Sequence, residues 1–205
     1  MRPVPPDRVG DPVSGAPVVN LPNALTLLRL LLVPVFAVLL LAEDGTDPVL
    51  RTWAAVVFLV ASATDLADGE IARRRDLVTT FGKVADPIAD KALTGVALVG
   101  LSALGDLPWW VTLVILVREV AVTLLRFWVI RYGVISASRG GKAKTVAQMA
   151  AIVLYLLPLD GPWVALRVAV MALALVLTVV TGVDYALRAI RLRRAAGARP
   201  SGALR

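Results

Sequence analysis

The chain has 205 residues, 58% of them hydrophobic and 18% charged, with a mean hydropathy of +0.78 and a formal charge of +7. It contains no Cys and no His, which excludes disulfides, a zinc centre of nitrogen and sulfur ligands, and a Cys or His nucleophile. So much apolar bulk in one chain reads as a single all-α integral membrane domain, and its basic excess sits beside apolar segments, where anionic lipid rather than nucleic acid is the expected partner.

Residues 1–19 carry Pro3, Pro5, Pro6, Pro12 and Pro17 with Gly10 and Gly15, lack the apolar core of a signal peptide, and are expected to form a flexible cytoplasmic tail. Asn20-Leu21-Pro22-Asn23 then leads into an apolar run over 24–42, with Asn23 or Thr26 as its expected cap and Pro34 as an expected kink. Arg29 lies about one turn inside this helix, so it must snorkel to the surface or meet the acidic site described below. Glu43, Asp44, Gly45 and Asp47 form a short acidic loop. The second span covers 53–72 and ends in Arg73-Arg74-Arg75-Asp76; the third covers 82–104 and is turned by Gly105-Asp106-Leu107-Pro108. A fourth covers 109–132, a basic segment with Arg139, Lys142 and Lys144 follows, and the fifth covers 145–159. After Asp160-Gly161-Pro162 the sixth covers 163–187, so the membrane domain occupies 20–187 and residues 188–205 form a basic cytoplasmic C-terminal tail.

Orientation follows from Lys and Arg in the short loops. The segments after spans two, four and six are basic and those after one, three and five are acidic or neutral, which puts both termini in the cytoplasm of a multi-pass cell-membrane protein. Trp53, Trp109, Trp110 and Trp163 then all fall at the outer boundary, as an aromatic belt requires.

The chemistry concentrates between Asp65 and Asp90. The stretch reads Asp65, Asp68-Gly69, Ala72-Arg73, Gly82, Asp86 and Asp90, and at 100° per residue the first aspartates share one helical face while Gly82, Asp86 and Asp90 share another. Two helices thereby present four carboxylates to one site near the cytoplasmic side of the bundle. Ionisable groups in spanning helices need compensation, and four acids need more than one Arg. Hard divalent cations take carboxylate oxygens, and a two-metal site with ions roughly 3.5–4 Å apart neutralises such a cluster.

This spacing resembles the signature of the CDP-alcohol phosphotransferases, integral membrane enzymes of phospholipid synthesis, and every fixed position of that signature is matched. The resemblance implies that Asp65, Asp68 and Asp86 hold two Mg2+ or Mn2+ ions and that Asp90 is the catalytic base with a metal contact of its own. It also implies that CDP-diacylglycerol is bound around Asn23, Arg29, Asp68, Gly69, Ala72, Arg73 and Gly82, and that the protein is a homodimer. Physically, Gly69, Ala72 and Gly82 admit a nucleotide close to the backbone and serve equally well as helix contacts, while the Arg73 guanidinium offers a diphosphate a fork of donors.

For the acceptor, Arg118-Glu119 interrupts the fourth span, Arg126 follows two turns on, and a Gly-rich basic segment from Ser138 to Thr145, with Gln148 one turn later, joins spans four and five. A Gly-rich turn with Lys142 and Lys144 at a helix N-terminus suits an anion. These features resemble family members whose acceptor is glycerol 3-phosphate, which implies transfer of a phosphatidyl group to that alcohol with release of CMP, its phosphate held by Arg118, Arg126, Lys142 and Lys144. The alternatives are another acceptor, phosphatidylglycerol in a cardiolipin synthase or inositol phosphate in a phosphatidylinositol phosphate synthase, and, in a different class, a cation transporter.

Overall fold

The computed structural model describes the backbone over residues 21–75, 80–129 and 139–197, and side chains over 24–64, 88–89, 91–129 and 140–194. Among the described residues the chain is all-α: α1 (Leu21–Leu41), a 3₁₀ turn (Ala42–Gly45), α2 (Pro48–Arg75), α3 (Thr80–Ala103), α4 (Trp109–Val129), α5 (Arg139–Leu156) and α6 (Pro162–Gly197). The expected N-terminal tail lies outside the described residues.

Several boundaries differ from the sequence reading for identifiable reasons. Neither Asn23 nor Thr26 caps α1, because the helix already begins at Leu21; Thr26 is instead buried inside it. α2 starts at Pro48 rather than near Trp53, because the Asp47 carboxylate accepts from the backbone N–H of Val49 at 2.7 Å and of Leu50 at 3.0 Å, with Pro48 suited to the first helical position. α5 begins at Arg139, so the Gly140-Gly141 pair lies in its first turn instead of preceding it. α6 continues to Gly197 through residues expected in the basic tail; Arg188 pairs with Asp184 at 2.9 Å one turn back, and the Arg193 guanidinium lies 4.9 Å from the centre of the Trp128 ring on α4.

α1 packs along α2 and α3, while α6 packs along α4 and α5. The Phe36 and Phe58 rings meet 5.7 Å apart between α1 and α2, and Leu98, Ile115, Ile152 and Ala174 carry the same core through α3, α4, α5 and α6. Across α3 and α4, Ser102 and Thr112 share a 2.7 Å hydrogen bond, and the Thr112 hydroxyl lies 3.2 Å from the Leu98 carbonyl, so these buried hydroxyls are satisfied. The exterior is apolar, with Val38, Val117, Leu124 and Phe127 each more than 60% exposed. An apolar surface this continuous belongs against lipid. α1 and α6 are long and apolar enough to cross a membrane on their own; Pro48–Thr64 and Lys91–Ala103 are shorter apolar stretches.

Candidate active site

Asp65 and Asp68 lie on α2 and Asp86 and Asp90 on α3, so the two carboxylate pairs come from consecutive helices. Their side chains, with those of Asn23, Arg73 and the small residues Gly69, Ala72 and Gly82, lie outside the described residues. Among the described residues no group of three or more Asp, Glu, His or Cys is arranged to hold a metal ion.

Next to the aspartates along both helices is a cavity of about 260 Å³. Ser62, three residues before Asp65, lines it from α2, and Lys91, directly after Asp90, lines it with Thr94 and Gly95 from α3. α4 contributes Glu119 between Leu116 and Val120, and α5 contributes Lys144, Thr145 and Gln148 above Met149 and Ile152. Helical spacing explains the α5 set: Lys144 and Gln148 are four residues apart and both buried, at 7% and 4% exposure.

One carboxylate anchors the charges here. Glu119 Oε1 accepts from Lys144 Nζ at 2.6 Å and from Arg118 Nη1 at 2.8 Å, and Glu119 Oε2 lies 3.5 Å from Lys91 Nζ. Three cations around one acid leave two positive charges with no counter-charge among the described residues. Surplus charge in an apolar setting is costly, so such a cluster favours a further negative charge beside it.

The four basic residues expected to bind the acceptor therefore separate. Lys144 lines the cavity. Arg118 backs it, because its remaining donors reach α6: Nε to the Thr178 carbonyl at 3.0 Å and Nη2 to the Thr181 hydroxyl at 2.7 Å. Gly182 leaves room for this crossing, since a Cβ there would stand 3.1 Å from both Cγ and Nε of Arg118. Lys142, two residues from Lys144 and so on the far side of α5, is exposed. Arg126 is exposed as well, its guanidinium 6.0 Å from the Tyr185 ring centre. Lys91 and Gln148 were not among the expected site residues. Each was detectable as a polar residue inside an apolar helix, Lys91 next to the fourth aspartate and Gln148 one turn beyond Lys144.

Arg29 does not snorkel. It is fully buried, and its Nε donates to the Ala61 carbonyl of α2 at 3.2 Å, which holds the start of α1 against α2 four residues before Asp65.

The sequence pattern of the family described as CDP-alcohol phosphatidyltransferase matches residues 19–180. The chain belongs to the CDP-alcohol phosphatidyltransferase family. A probable phosphatidylglycerophosphate synthase of Mycobacterium tuberculosis is 54% identical over 184 residues, covering 90% of this chain and 88% of that protein. The CDP-diacylglycerol–glycerol-3-phosphate 3-phosphatidyltransferases of Bacillus subtilis and Rickettsia felis are 41% and 37% identical, each alignment covering 81% of this chain and 93% of the relative. As a family member the chain is a phosphatidyltransferase, and its apolar exterior and two long apolar helices are those of a membrane protein.

Proposed function

We propose that this phosphatidyltransferase transfers the phosphatidyl group of CDP-diacylglycerol to glycerol 3-phosphate, giving phosphatidylglycerophosphate and CMP. The observation that supports a phosphorylated acceptor is the group of three cations around Glu119, with Lys91 and Lys144 in the cavity wall and Arg118 behind it, an excess of positive charge among the described residues. A phosphomonoester carries a charge of about −1.5 to −2 at neutral pH, which matches that surplus. Phosphatidylglycerol is a phosphodiester with a single negative charge and suits the cluster less well, whereas inositol phosphate is a phosphomonoester too, and against it the reading rests on the relatives. Relatives named for the same reaction, over nearly their whole length, support the reading.

In this mechanism Lys144 and Lys91 hold the acceptor phosphate. Arg118 fixes Glu119, while the exposed Arg126 and Lys142 add longer-range attraction for the incoming anion. The acceptor hydroxyl gives its proton to Asp90, and its oxygen attacks the phosphorus bearing diacylglycerol. The bond from that phosphorus to the bridging oxygen of the diphosphate breaks, and CMP departs with the electron pair. In the same reading Arg29, Arg73, Asn23, Asp68, Gly69, Ala72 and Gly82 serve the binding of CDP-diacylglycerol.

The donor set suits two divalent ions, because four carboxylates with no His or Cys anywhere in the chain form an all-oxygen site for Mg2+ or Mn2+. Asp65, Asp68, Asp86 and Asp90 would hold them, and such ions, when bound, neutralise the diphosphate and keep the carboxylates ionised. The fuller reading has all six helices crossing the cell membrane, both termini cytoplasmic, and a homodimeric assembly.

The test is metal-dependent CMP release from CDP-diacylglycerol by purified protein, with glycerol 3-phosphate, inositol phosphate and phosphatidylglycerol offered separately. Release with glycerol 3-phosphate alone is expected. Release with either other acceptor alone overturns the acceptor, and ion flux across vesicles without any CMP release overturns the enzyme.

A further inference from the structure

Gln148 is buried, yet among the described residues its Oε1 has no hydrogen-bond partner. Buried polar atoms are nearly always paired, and an exception needs a cause. Gln148 lines the cavity one turn after Lys144, a rise of about 6 Å along α5. Its terminal amide turns about a soft torsion, so a small rotation is enough to offer the oxygen to a ligand. Glu119 is committed to its three cations, and the Thr145 hydroxyl is held by the Gly141 carbonyl at 3.1 Å. The other hydroxyls that line the cavity, those of Ser62 and Thr94, stand on α2 and α3 rather than on this face of α5. Met149 and Ile152, which complete this side of the wall, offer no oxygen.

Cations therefore stand at one end of the α5 face and an unsatisfied acceptor at the other. Glycerol 3-phosphate has the complementary arrangement, a phosphate followed by a secondary and then a primary hydroxyl. The less hindered primary hydroxyl is the nucleophile, which leaves the secondary hydroxyl as a donor needing a partner. We infer that Gln148 is a specificity-determining residue that accepts a hydrogen bond from the secondary hydroxyl of the acceptor, an inference that rests on the glycerol 3-phosphate reading.

The test compares kcat/KM for glycerol 3-phosphate with that for 3-hydroxypropyl phosphate, which keeps the phosphate and the primary hydroxyl and lacks only the secondary one. The full-length enzyme is expected to prefer glycerol 3-phosphate by about tenfold or more, since a site built to pair a hydroxyl rejects the analogue without it. In Gln148→Met that preference is expected to fall to nearly one. The ratio of two substrates in one preparation does not depend on how much of the variant is folded. If Gln148→Met releases no CMP, Gln148→Ala, which adds no bulk, supplies the ratio. A wild-type ratio near one, or a variant that keeps the wild-type ratio, overturns the role of Gln148. Wild-type protein that releases CMP with neither compound defeats the acceptor reading itself, and the inference with it.

Discussion

Two polar clusters in this bundle use the same residue types to opposite ends. Between the first helical connection and the end of α5, every guanidinium nitrogen of Arg51 has a partner: the carboxylate of Asp106 at 2.6 Å, and the carbonyls of Tyr155 at 2.8 Å, Gly45 at 3.1 Å and Leu156 at 3.3 Å. These contacts tie together the first connection, α2, the α3–α4 turn and two carbonyls that the end of α5 cannot satisfy itself. The cavity beside the aspartate helices and its backing instead place three cations around Glu119, and the Gln148 oxygen there has no partner among the described residues. A closed network has nothing left to bind and serves stability. An open one leaves charge and hydrogen-bonding capacity for a ligand.

Changes on the aspartate and cavity side should damage turnover, and changes in the clamp should damage folding. Asp90→Asn is expected to have the largest effect, cutting CMP release by about 10²–10⁴-fold through loss of the general base while the fold is kept. Near-normal release by that variant would remove Asp90 from the mechanism. Next, Lys144→Ala should raise the KM for glycerol 3-phosphate by roughly ten- to a hundredfold, the range for a charge-assisted hydrogen bond, with a smaller change in kcat. Lys142→Ala should move the same KM by no more than about threefold, in keeping with an exposed charge. Equal shifts in the two variants would mean that burial beside Glu119 does not select the phosphate-binding lysine.

Arg51→Ala probes the other cluster. It is expected to cost about 2–3 kcal/mol of stability, because Asp106 loses its ion-pair partner in a mostly buried setting. Thermal unfolding in detergent micelles reads that loss, and kcat/KM per folded molecule should stay at the wild-type value. A variant of normal stability with altered KM would reverse the contrast between the clusters. Gly182→Ala should have the smallest effect, about 1 kcal/mol, as Arg118 shifts to clear the new methyl group. An unchanged melting temperature would show slack where Arg118 crosses to α6.

Much of this was legible in the chain itself because it depends on local spacing. The helical period of the aspartates identifies their faces, the paired Gly and Pro residues mark the turns, and Arg118-Glu119 stands out in an apolar span. The basic segment before span five is where the helix boundary departs from local spacing. Two adjacent glycines each disfavour a helix by about 1 kcal/mol relative to Ala, so the sequence suggests a turn with both lysines facing one anion. The helix runs through Gly140 and Gly141 instead, its early turns held by the Lys144–Glu119 bridge to α4 and by packing on α6. That registers Lys144 inward and Lys142 outward, a difference no count of charges reveals.

The sequence by itself determined the family, the all-α class and the placing of the four aspartates on two consecutive helices, because each is written in short-range spacing and hydropathy. Tertiary structure alone decided which buried charges meet. Arg118 finds Thr178 some 60 residues away, Glu119 finds Lys91 and Lys144 on two other helices, and among the described residues the Gln148 Oε1 has no partner beside them. Such pairings depend on how helices rotate and lean against one another, and that follows from packing of the whole bundle rather than from the neighbours of any one residue.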